Sequence, residues 1–171
     1  EQSHQGGTVA GNLPEVLYAT IADEQDAQSR TYLDNKTVMW QSSDEVSFFY
    51  GNEQNACYAY KEGPSDSKVQ LTLKEHGKRV AQQLNYSRGI YPYDPGITID
   101  MKGGIDKISV YYPETQTYAP NSFGRGANIM IATGDNVNDN NLAFRNACGY
   151  LVIKLYGEGI KVKNIALSSV S

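Results

Sequence analysis

"SSDEVSFFYGN" (Ser42–Asn52) runs through Glu53, Gln54 and Asn55 into "ACYAYKEG" (Ala56–Gly63), and the reading of this stretch decides the fold. A polar turn leads into a run rich in aromatic residues, Gly51 and Asn52 break it, a second alternating run follows, and Gly63 with Pro64 stops that one. Aromatic and β-branched side chains suit a pleated surface, while Gly, Pro and Asn supply the backbone conformations that turns require. The stretch reads as consecutive strands separated by a turn.

The same pattern extends in both directions. "EVLYATIAD" sets Val16, Tyr18 and Thr20 against Leu17, Ala19 and Ile21, the alternation of a strand. "RTYLDNKTVMW" holds two short extended runs around Asp34 and Asn35, residue types that tolerate hairpin turns. Further strands are expected over residues 69–73, 89–91, 97–101, 107–111, 129–132, 149–156 and 161–167. One segment reads as helix: "EHGKRVAQQL" (Glu75–Leu84), where Val80 and Leu84 stand four apart among good helix formers. Short, regularly spaced runs without helices between them argue for an all-β fold, an antiparallel β-sandwich with at most one short helix, rather than βαβ units. Residues 1–15 form a polar, Gly-containing leader; residues 16–171 are expected to fold as one β-sandwich domain.

Composition narrows the function. The 171 residues carry 15 basic and 19 acidic side chains, a net charge of −4, which disfavours a nucleic-acid partner. No apolar run approaches the roughly 20 residues that cross a bilayer as a helix. Cys57 and Cys148, with His4 and His76, are too few and too scattered for a closed structural zinc site. A Cys57–Cys148 bridge stays open, although Cys148 in "NACGYLVI" reads as a buried strand start.

Each motif that might carry chemistry has a plainer reading. Gly124 and Gly126 flank Arg125 in "SFGRGANIMIA", but neither the phosphate-loop nor the dinucleotide spacing is present, so the glycines are expected to bend a strand entry and Arg125 to stay solvated. Asp135, Asn136, Asn138, Asp139 and Asn140 are hard oxygen donors, yet Val137 occupies a ligand position and no Glu closes the loop; a solvated connection is favoured over a calcium site. His4 and His76 lie in no nucleophile motif and read as surface residues. Asp94 and Asp100 could form a glycosidase pair only if the fold brought them together, and Asp94 in "YPYDPG" reads better as a turn residue. Tyr86, Tyr91, Tyr93, Tyr111, Tyr112 and Tyr118 offer stacking faces for a sugar or a protein, against the commoner fate of strand aromatics. Trp40 reads as a core plug. The expectation is no catalytic residue, no cofactor and no metal.

Four stretches taken together, "TYLDNKTVMWQSSDEVSFF", "GIYPYDP", "TYAPNSFGRGANIMIA" and "LAFRNACGYLVIKLYGEGIKVKNIALS", resemble the N-terminal domain of fimbrillin-like surface lipoproteins of Bacteroidetes. That resemblance implies a transthyretin-like β-sandwich, export as a lipoprotein, display at the outer membrane and a second β domain beyond this one. The anchoring cysteine of such proteins is not in this chain. It further implies a non-enzymatic structural or accessory pilus subunit, or an adhesin, whose partners are proteins reached through a sheet edge. Arg30 stands where a trypsin-like processing site could fall, although a plain hairpin residue is favoured. The competing reading is a surface carbohydrate-binding module that stacks tyrosines on glycans.

Overall fold

The computed structural model describes residues 12–22, 38–100, 106–116, 127–148, 155–159, 161–166 and 168. Ten strands follow in order: β1 Val16–Ile21, β2 Glu45–Tyr50, β3 Glu53–Ala59, β4 Lys68–Glu75, β5 Lys78–Arg79, β6 Arg88–Tyr91, β7 Thr98–Asp100, β8 Lys107–Ser109, β9 Met130–Thr133 and β10 Asn141–Asn146. The described residues contain no helix, and the expected all-β class is what the chain adopts.

The large sheet runs β2-β6-β9-β10-β1-β4-β3, and β2 pairs again with β3, so seven strands close into a barrel-like ring; β5 attaches beside β3. This departs from the expected antiparallel sandwich in two respects. The sheet is closed rather than clearly split into two layers, and it is mixed, because β1 lies parallel to β10 with Tyr18 opposite Asn141 and Phe144 opposite Ile21. The other ring pairings are antiparallel. Closure satisfies the backbone groups that an open sheet exposes at its edges. Asn140 reinforces the parallel seam: its Nδ2 donates to the Val16 carbonyl at 2.9 Å, and its own carbonyl accepts the Tyr18 N–H at 2.8 Å.

Strand alternation decides which side chains fill the ring. Leu17 and Ala19, Val46 and Phe48, Val69 and Leu71, and Leu142 and Phe144 are all buried in one cluster with Trp40, Tyr58 and Met130. Each large apolar side chain removed from water contributes roughly 1.5–3 kcal/mol. β2 is buried on both faces because a second cluster lies outside the ring: Phe49, Leu84 and Ile90 pack under Ile97 and Ile99, the latter on the two-stranded β7–β8 ribbon. Gly89 makes the inner packing possible, since a Cβ there would meet Phe144 Cζ at 2.5 Å.

The helix expected over Glu75–Leu84 does not form. Its amides are committed elsewhere: Val80 N–H donates to the Asn52 carbonyl and Leu84 N–H to that of Gly51, each at 2.9 Å, while Lys78 and Arg79 pair with β3. The strands expected over 149–156 and 161–167 are absent where described, since Leu155, Tyr156 and residues 161–166 lie outside any strand and are exposed. Cys148 is exposed just past β10, not buried at a strand start, and it and buried Cys57 are both free thiols. The hairpin around Asp34 and Asn35, and most of the leader, lie outside the described residues.

Candidate binding cleft

The turn that opens β2 builds one wall of a cleft. Gln41 N–H donates to Asp44 Oδ2 at 2.8 Å and Asp44 N–H returns a bond to the Gln41 carbonyl at 2.9 Å, while Ser43, at φ 78°, takes the left-handed conformation that the reversal needs. Trp40 bridges to Asp66 through both backbone groups, which seats its indole against Tyr91 and Phe144 in edge-to-face contacts at 5.4 and 5.1 Å. The core-plug expectation for Trp40 holds: the residue is wholly buried.

The opposite wall follows β6. The Tyr91–Pro92 peptide is cis, Tyr93 N–H donates to the Glu45 carbonyl at 2.8 Å, and Tyr91 Oη donates to Asp44 Oδ1 at 3.0 Å. The turn after it is closed by Asp94, whose Oδ1 accepts the Gly96 N–H at 2.6 Å and whose carbonyl accepts Ile97 N–H, as expected of a turn residue. Asn55, at φ 59°, sends its Nδ2 to the carbonyls of Asp94 and Ile97 and fastens this turn to β3. Tyr111, after β8, completes the rim.

The space enclosed measures about 690 Å³, within the usual size of small-ligand and peptide-side-chain sites. Its floor is apolar, with Ile90, Ile129 and Met130; its sides carry Tyr91, Tyr93 and Tyr111. All charged residues that line it are acidic: Asp44, Glu45 and Asp94. Glu45 is neutralised by an ion pair with Lys74, whereas no ion pair engages Asp44 or Asp94 among the described residues. Burial, followed by the nearby negative groups of Cys57, Glu75 and Glu45, pushes the Tyr93 hydroxyl above the ordinary tyrosine value, so it stays a neutral donor.

Of the residues singled out from sequence, the cleft gathers Tyr91, Tyr93, Tyr111 and Asp94. Asp100 does not line it but sits exposed on β7, so the cleft does not unite the two aspartates. Tyr86 lies under the Arg88 guanidinium at 5.4 Å, and Tyr112 Oη donates to the Ala127 carbonyl. His76 is exposed, with Nδ1 against Glu53. The Asp135–Asn140 loop turns its oxygens inward: Asp139 Oδ2 accepts from Asp135 N–H, Asn136 Oδ1 from Asn138 N–H and Asp139 Oδ1 from Asn141 N–H. Among the described residues no group of three or more His, Cys, Asp or Glu could hold a metal, and no helix is long and apolar enough to cross a membrane. His4, Arg30, Tyr118, Gly124, Arg125 and Gly126 lie outside the described residues. Sequence reading missed Asp44 and Met39 as cleft residues; Asp44 follows two serines at a strand entry, a pattern that signals a turn but not what the turn faces.

Comparison with protein families, with curated proteins and with solved structures finds no match to this chain, so the cleft is read from its own geometry.

Proposed function

We propose that this chain is a non-enzymatic cell-surface protein, a fimbrillin-like structural or accessory pilus subunit or an adhesin, exported as a lipoprotein and displayed at the outer membrane. On this reading the closed sheet is a transthyretin-like sandwich whose two layers join at their edges. One observation carries it. Leu155, Tyr156, Val162 and Ile165 are large apolar residues, more than half exposed, in a strand-like sequence that pairs with nothing in its own sheet. Apolar segments of this kind are covered by partners in an assembly. The test is co-purification with sheared surface filaments, alongside protease accessibility on intact cells. The chain should sediment with the filaments and lose that association in Val162→Asp/Ile165→Asp, while a protein found inside the cell, or one indifferent to the double substitution, sinks the proposal.

The carbohydrate-binding reading draws on a different observation, the half-buried Tyr93 and the exposed Tyr111 at the cleft rim. Rings so placed offer one flat face to a sugar. Glycan-array binding abolished by Tyr111→Ala, with assembly unchanged, would move the function to this second reading.

A further inference from the structure

Asp44 and Asp94 stand in a concave, aromatic-walled cleft without a cation of their own. Their orientations are fixed from within the chain: Asp44 by the Tyr91 hydroxyl and the Gln41 amide, Asp94 by the Gly96 amide. Hydrogen bonds of this kind hold a carboxylate in place without removing its charge. Any occupant that covers these groups strips water from two negative charges, which is costly unless the occupant returns a positive charge. No lysine or arginine lines the cleft to do so.

A second feature concerns the occupant's backbone. Among the residues lining the cleft, Trp40 holds a wholly buried polar side-chain atom, Nε1, that has no hydrogen-bond acceptor. An indole N–H is a donor only, so what would satisfy it is a carbonyl. Tyr93 and Tyr111 add electron-rich faces that attract cations, guanidinium groups above all.

From these features together we infer that the cleft binds an extended segment of a partner protein that presents an arginine or lysine side chain. The basic group sits between Asp44 and Asp94 against the tyrosines, and the segment's backbone supplies carbonyl groups on the Trp40 side. The inference rests on the surface-binding function proposed above and names the chemistry of its partner. Opposite charges across the cleft mouth also set the rate of encounter and make it sensitive to salt.

The probe is a blocked glycine pentapeptide with one central arginine, compared with its lysine and glutamate counterparts and with a neutral oligosaccharide, each titrated into the folded protein while amide resonances are followed by NMR. The arginine and lysine peptides should shift the amides of Asp44, Asp94 and Gly96 saturably, and more weakly as salt is raised. Asp44→Asn/Asp94→Asn keeps an oxygen acceptor at each turn and should weaken binding about tenfold, equivalent to ~1.4 kcal/mol, with dispersed spectra reporting an intact fold. Equal shifts from the glutamate peptide, tighter binding of the sugar in the cleft, no saturable shift at all, or self-association lost in the double variant would each overturn the inference. The titration uses purified protein and is independent of where the chain resides. A failed titration with a filament-associated protein removes the inference alone, and a successful one with an intracellular protein removes only the surface function.

Discussion

Nδ1 of His76 lies 2.9 Å from Oε1 of Glu53, and the same carboxylate oxygen accepts the Gly77 N–H at 2.9 Å. The imidazole is 71% exposed and the carboxylate 6%, so an exposed ring caps a buried charge at the point where β4 turns into β5. Arg79 approaches the other oxygen at 4.0 Å. The two interactions differ in worth. Losing the acceptor of a part-buried backbone amide costs about 1–3 kcal/mol, whereas an ion pair with an exposed partner contributes about 0–1 kcal/mol. Glu53→Ala should therefore destabilise clearly more than His76→Ala in urea unfolding. Equal losses would mean that the ion pair, not the Gly77 amide, holds the turn.

Two glycines should resist alanine for different reasons. A Cβ on Gly77 would stand 2.0 Å from the Gln54 carbonyl oxygen, a backbone atom of a paired strand, while one on Gly89 would meet the Phe144 ring at 2.5 Å and the Leu142 methyl at 2.8 Å. Side chains give more easily than backbone. Gly89→Ala should cost about 1–3 kcal/mol as an overpacked core, and Gly77→Ala should cost at least as much while shifting the amide resonances of β3. A neutral Gly89→Ala would show that Phe144 has room to turn.

Trp40 is the sole tryptophan and is wholly buried. Trp40→Ala should cost about 3–5 kcal/mol, the range for emptying an aromatic core position. Because Nε1 has no acceptor to lose, Trp40→Phe removes volume alone and should cost distinctly less, as followed by far-ultraviolet circular dichroism. A phenylalanine variant as unstable as the alanine one would reveal a hidden partner for the indole nitrogen.

The two thiols should separate by reactivity. Burial first, and then the Glu45 carboxylate, push Cys57 from 9.0 up to about 11, whereas Cys148 is exposed. At mildly alkaline pH an alkylating reagent should label Cys148 in native protein and both thiols only after unfolding. The same shift has a sign for stability. Between pH 9.0 and about 11 the unfolded chain has released the Cys57 proton and the folded one has not, so this contribution is complete below pH 9.0 and is lost as pH rises toward 11. Cys57→Ala should remove the part of the decline that begins near pH 9.0, leaving the later part due to buried Tyr58, whose hydroxyl is also raised. A decline unchanged in that variant would assign it wholly to the tyrosines.

Strands with strong alternation were legible in the sequence. β1, β2, β3 and β4 fall where Leu17 and Ala19, Phe48 and Tyr50, Tyr58, and Val69 and Leu71 mark an inward face. β10 escaped because Leu142 and Phe144 are separated by Ala143 and framed by Asn141 and Asn146, residues that signal a turn more strongly than a strand. Glu75–Leu84 misled for the opposite reason: its spacing suits a helix, but distant carbonyls at Gly51 and Asn52 claim its amides. Closure of the sheet was invisible, since pairing of β1 with β10 depends on a contact between chain regions that no local pattern encodes. The cleft was legible in its tyrosines and in Asp94, and illegible in Asp44, whose role follows from the tertiary meeting of two turns.

The parallel seam between β1 and β10 carries a cost in time. Residues near Tyr18 must wait for those near Asn141 before their outer hydrogen bonds have anywhere to go. Such distant pairing places this fold among slow ones, and a chain threaded amino-end first leaves its opening strand with a bare margin until nearly all the rest has followed. Whatever escorts the nascent polypeptide must shield that margin longest, and a lesion at the seam should show in yield and refolding half-time before it shows in the finished molecule.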